Sequence, residues 1–79
     1  MTIKFSEILT PEQQRSILEQ RIAQFAAEGY QHELNKKVSE NTSNEAGVEE
    51  SENMIKILSE AINVYQQELE LLPQPVVAE

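Results

Sequence analysis

There is no cysteine in this chain, so neither a disulfide nor a thiolate metal site is open to it. Two glycines and four aromatic residues leave too little material for a β-sandwich or a barrel. No apolar run approaches the ~20 residues of a membrane span. The opening residues lack the apolar stretch and small-residue cleavage site of a secretion signal, so none is expected. Cations are scarce as well: six Lys and Arg stand against fourteen acidic residues, for a net charge of −8. At 79 residues the chain makes one domain at most. A fold this small buries little of its surface and normally needs a staple. With disulfides excluded and one histidine present, oligomerisation is the staple that remains.

The charge is unevenly placed. Residues 1–10 balance, and residues 11–40 stand at −1. Residues 41–79 carry eight glutamates against Lys56 alone, a balance of −7. Such a surface repels phosphate backbones and anionic membranes, so we expect no direct nucleic-acid binding and no membrane partner. A solvated acidic face that aids solubility accounts for the glutamates. The sharper reading is a surface that mimics nucleic-acid charge toward a basic partner.

What the chain does have is hydrophobic periodicity. The segment 54–72 carries two apolar seams at once. The first runs Val48, Ser51, Ile55, Leu58, Ile62, Tyr65, Leu69, Leu72, alternating steps of three and four. The second runs Met54, Ile57, Ala61, Val64, Glu68, Leu71 with the same alternation. A helix with one seam needs one partner; a helix with two needs at least two.

The spacing predicts an all-α fold: an antiparallel, coiled-coil-like hairpin of two long helices that dimerises into a four-helix bundle. We expect an arm over 1–9, a first long helix over about 11–40, a loop over about 41–46, a second over about 47–72, and a flexible tail over 73–79. Thr10, Pro11, Glu12 and Gln13 form a capping-box start. Thr42 with Glu45, Ser43 or Asn44 offers a cap for the second helix, and Pro73 stops it. In the arm, Ser6 is placed to cap a single turn. Its Ile3, Phe5, Ile8 and Leu9 are expected to pack on the bundle or on a neighbouring subunit.

Folding the helices back on each other assigns Leu18, Ile22, Phe25 and Gly29 to the core of the hairpin. They would face Ile55, Leu58, Ile62, Tyr65 and Leu69, with Ile22 opposite Tyr65 and Phe25 opposite Ile62. Gly29 is expected to admit a large side chain and to mark a kink. The second seam (Met54, Ile57, Ala61, Val64, Leu71) is then left open, and we place Ala23, Ala27, Tyr30, Leu34 and Val38 beside it. These ten residues are the expected interface with a second copy or another protein.

Catalytic chemistry finds no anchor. Glu28 and His32 are four residues apart and could share one face toward a metal. The carboxylate–histidine sites of four-helix bundles need Glu-x-x-His from two helices and further glutamates, and position 29 is glycine. We expect no metal, no cofactor and no catalytic residue. The serines lack a second histidine or a thiol to form a nucleophilic site. Glu49, Glu50 and Glu52 suit the positive end of a helix, and Gly29 and Gly47 are too isolated for a phosphate loop.

The expected function is a non-catalytic protein–protein interaction module: a small oligomeric adaptor, assembly factor or structural subunit. Its partners would be itself, as a homodimer, and an unidentified protein. The alternative is an acidic inhibitor occupying a basic site on another protein. A metal-dependent enzyme built on Glu28 and His32 is a third reading. In general character the chain is similar to small accessory proteins of bacteria and their phages, which implies a cytoplasmic setting, or a virion if the source is viral.

Overall fold

A computed structural model describes residues 2–73. Three helices follow in order: α1 (Phe5–Ile8), α2 (Pro11–Asn41) and α3 (Glu45–Leu71). Among the described residues there is no strand. The two long helices pack along each other as a hairpin, with three residues between them. The molecule is only 14 Å across in its thinnest direction, so it is a single layer of helices. Each helix can therefore cover one stripe of the other and no more.

Local signals set the start of α2. The Thr10 hydroxyl accepts from the Gln13 N–H at 3.1 Å, and the Thr10 N–H donates to Gln13 Oε1 at 2.9 Å. This reciprocal pair satisfies two donors that a helix start leaves orphaned, and Pro11 supplies a residue that has no N–H to satisfy.

The turn is built from serine and asparagine where glycine is usual. Ser43 adopts φ 55°, in the left-handed region. The Asn44 N–H reaches back to the Ser39 carbonyl at 2.8 Å, and the Ser43 N–H to the Glu40 carbonyl at 3.3 Å. This is the Schellman pattern that closes the last turn of a helix. Asn44 then caps α3, its Oδ1 accepting from the Gly47 N–H at 3.0 Å. Thr42 is engaged the other way. Its hydroxyl donates to the Val38 carbonyl at 3.0 Å, so it serves the end of α2 and not the start of α3.

The two glycines play opposite parts. A Cβ at Gly47 would stand 2.5 Å from Ser39 Oγ and 2.8 Å from Asn44 Nδ2. The helices thus come close just past the turn, where Ser39, Gly47 and the buried Ser51 are all small. A Cβ at Gly29 would meet nothing within 4 Å. The expected close side-chain approach at Gly29 is absent, and α2 runs without interruption from Pro11 to Asn41. One glycine costs only about 1 kcal/mol, and the hydrogen-bond ladder of thirty-one residues absorbs it.

The core is a line and not a volume. Leu58 (7% exposed) is the one buried apolar side chain among the described residues, and Ser51 (5%) is its polar neighbour on the seam. Leu18, Ile22, Phe25 and Gly29 of α2, with Ile55, Ile62, Tyr65 and Leu69 of α3, are half-buried along it. The Phe25 and Tyr65 rings meet at 5.5 Å between centroids, tilted by 52°. That pairing joins two residues that simple facing positions keep apart. Helical side chains lean toward their own N-terminus. Phe25 therefore leans toward the open end and Tyr65 toward the turn, and each reaches the other. A tilted pair of this kind adds about 0.5–1.5 kcal/mol beyond area burial.

The arm differs from expectation. α1 is one turn, and its N-cap is Lys4, with no side-chain cap from Ser6. Gln14 pins the segment, its Nε2 donating to the Ser6 carbonyl at 2.8 Å and the Leu9 carbonyl at 3.0 Å. Leu9 is half-covered, whereas Ile3, Phe5 and Ile8 are exposed, so the hairpin leaves three of the arm's four large apolar residues uncovered. A four-residue helix has no second turn with which to grip a surface. At the open end the Arg15 guanidinium donates to the Pro73 carbonyl. The expected flexible tail falls, past Pro73, outside the described residues.

Candidate interaction face

The second seam of α3 stands beside the first. At 100° per residue, its mean direction lies about 110° around α3 from the buried stripe. Two of its members, Met54 and Ala61, are half-buried at the edge of the α2 contact. The three that point further out are open: Ile57 is 58% exposed, Val64 53% and Leu71 77%. Gly47, Glu50 and Glu68 continue the same three-and-four spacing, so the strip runs from 47 to 71.

The α2 residues lie elsewhere. Tyr30, Leu34 and Val38 are exposed, as are Ala23 and Ala27. Their mean direction is about 150° around α2 from its contact with α3, which puts them on its outer side. The apolar residues of α2 therefore nearly cancel around its axis, whereas the two adjacent stripes of α3 reinforce each other. Sequence reasoning set the two groups side by side; the hairpin separates them. The physical cause is a five-residue offset between the two α2 stripes (18, 22, 25 and 29 against 23, 27, 30 and 34), which at 100° per residue turns the second stripe about 140° from the first and so away from α3.

The arm joins the α3 strip and not the α2 one. Ser6, Leu9, Gln14, Ile17, Leu18 and Glu68 line one hollow. Glu68 belongs to the strip, so the folded-back arm walls its open end with Leu9 and Ile17. Ile17 fits neither seam of the sequence pattern, and only the return of the arm gives it company. No periodicity could have found it; the Gln14 hydrogen bonds that place the arm are its sole signal.

The opposite edge of the hairpin is polar. Glu33, Lys36, Lys37 and Glu40 border a shallow hollow with Ile55. Lys36 Nζ comes within 4.0 Å of a Glu52 carboxylate oxygen, with the Lys36 side chain half-buried and that of Glu52 exposed. A surface pair of this kind is worth under about 1 kcal/mol. The hairpin thus has one charged edge and one apolar edge.

The residues considered for metal chemistry are not gathered by the fold. His32 is half-buried on the α2 seam, and Glu28 is exposed. Among the described residues no three histidine, aspartate or glutamate side chains come together as a metal-holding group. Glu49, Glu50 and Glu52 are exposed in the first two turns of α3. No helix among the described residues is long and apolar enough to cross a membrane. No protein-family model matches the chain, and neither a curated protein nor a solved structure does.

Proposed function

We propose that this protein is a non-catalytic interaction module that works as an oligomer, its hairpins associating along the α3 strip into a four-helix bundle. The observation that carries the reading is the exposure of Ile57, Val64 and Leu71 in one line beside half-buried Met54 and Ala61. One layer of two helices with a single buried apolar side chain among the described residues is a poor hydrophobic core. A second layer on the strip would supply the missing burial, at about 25 cal/mol per Å² of apolar surface removed from water. The bundle would then present its charged edges, its arms and the outer Tyr30, Leu34 and Val38 to a further protein partner. A cytoplasmic setting belongs to the same proposal.

The acidic-inhibitor reading has no observation of its own in its favour. Only Glu45 lies in the first turn of α3, where the positive helix end favours a carboxylate; Glu49, Glu50 and Glu52 are exposed one turn further on, and Glu52 approaches Lys36.

The test compares two charges placed on the two stripes of α3. Ile62→Asp puts an unpaired carboxylate into the hairpin seam and is expected to abolish helicity in far-ultraviolet circular dichroism. Val64→Asp puts one on the strip and is expected to lower the assembled mass in sedimentation velocity before it lowers helicity. Unaltered association and an unaltered melt for Val64→Asp would remove the proposal.

A further inference from the structure

Between Glu50 and Glu68 the α3 strip has the same order of charged and apolar positions from either end. It runs Glu50, Met54, Ile57, Ala61, Val64, Glu68. About a midpoint at the height of Ser59 these six pair: Ile57 with Ala61, Met54 with Val64, Glu50 with Glu68. We infer that the occupant of this strip is a second copy of α3 lying antiparallel across a two-fold axis at that height, so that Glu50 of each copy stands against Glu68 of the other. The inference rests on the self-association proposed above and gives it a register.

A two-fold contact must be self-complementary, because the same patch serves both subunits. The symmetric register meets that demand in its four central layers. Four consecutive apolar layers form at the centre, and each sets a larger side chain against a smaller one: Met against Val, Ile against Ala. Alternating large and small across an interface is what lets layers interdigitate. Sliding the copies by seven residues either way breaks this order. One slip sets Ile57 against Glu68, and the other sets Ala61 against Glu50; each buries carboxylates against apolar groups. A parallel pair would keep the layers but stack Ile on Ile beside Ala on Ala, leaving uneven gaps, and would align the helix dipoles unfavourably.

The strip is about 36 Å long at ~1.5 Å per residue. With Leu9 and Ile17 at its open end, it offers the length of contact on which four-helix bundles are built. The only charges on it are Glu50 and Glu68, both exposed. In the antiparallel register they close the apolar layers at each end as like-charged pairs. They therefore hold association below what the apolar layers alone would give.

Charge reversal tests the register. Dissociation constants are measured by sedimentation equilibrium for wild type, Glu50→Lys, Glu68→Lys and the double Glu50→Lys/Glu68→Lys protein. Both positions are exposed on the hairpin, so helicity by circular dichroism is expected to hold in all four. Each single reversal turns two repulsive contacts per dimer into attractive ones and is expected to tighten association about tenfold. The double reversal restores like-charged pairs and is expected to fall back toward wild type, although its net charge is the lowest. That rise and fall cannot come from net charge alone. A parallel pair would not give it either, since position 50 would then face its own copy and the contact would stay like-charged after reversal. A dimer whose affinity is unchanged, or climbs steadily from wild type to single to double, overturns the antiparallel register and leaves self-association standing. A wild-type chain that stays monomeric at every concentration overturns both.

Discussion

Replacing each glycine by alanine should move stability in opposite directions. Both lie inside long helices, and helix propensity alone awards each alanine about 1 kcal/mol. At Gly29 nothing stands within 4 Å of the new Cβ, so the gain is expected in full, about 1 kcal/mol. At Gly47 the new methyl would lie 2.5 Å from Ser39 Oγ and 2.8 Å and 3.1 Å from Asn44 Nδ2 and Cγ. Ser39 Oγ belongs to α2, so this contact yields only by turning the hydroxyl aside or parting the helices. Asn44 cannot turn aside, because its Oδ1 holds the Gly47 N–H in the cap of α3. Displacing that cap costs about 1 kcal/mol, and forcing the helices apart at their closest approach adds roughly 1 kcal/mol more. The net expectation for Gly47→Ala is a loss of about 1 kcal/mol. Urea melts followed at 222 nm, with all proteins at one concentration, measure both changes. If the two substitutions stabilise equally, the close approach at Gly47 is not real and the account of the turn fails.

Two further expectations follow from the seam and the turn. Leu58→Ala removes the one buried apolar side chain among the described residues and should cost about 2–3 kcal/mol, the lower part of the range for buried leucine, since a single-layer seam can partly collapse; a loss under 1 kcal/mol in the same melts would mean that Leu58 is not the centre of the core. Ser43→Gly relieves a left-handed serine but loosens the unfolded chain, so a net gain of about 0.5 kcal/mol is expected, and a loss would show that the serine side chain contributes to the turn.

Features coded over three or four residues were the most legible in the sequence. Thr10 and Gln13 announce their own cap because both partners of the two hydrogen bonds lie in one short word. The helical hairpin itself follows from the unbroken alternation of the α3 stripes. The turn was harder. Thr42 followed by Glu45 resembles a capping box, but the left-handed Ser43 redirects Thr42 to the end of α2 and leaves Asn44 as the cap. No residue-type rule marks a serine for φ 55°. Gly29 and Gly47 could not be told apart by composition, because what distinguishes them is Ser39, which arrives from the other helix. The meeting of Phe25 with Tyr65 needed the lean of helical side chains and not only their spacing. The arm hid longest: Leu9 and Ile17 join Glu68 through a fold-back that rests on the Gln14 amide.

The claim on which the functional reading stands is that one hairpin leaves α3 with more apolar surface than α2 covers. The most direct test is a dilution series in which molecular mass by sedimentation velocity and helicity by circular dichroism are read on the same samples. The account predicts a mass of two or more chains at high concentration, with helicity and melting temperature falling as dilution splits the assembly. A particle of one-chain mass, fully helical and with a melting temperature independent of concentration, would contradict it.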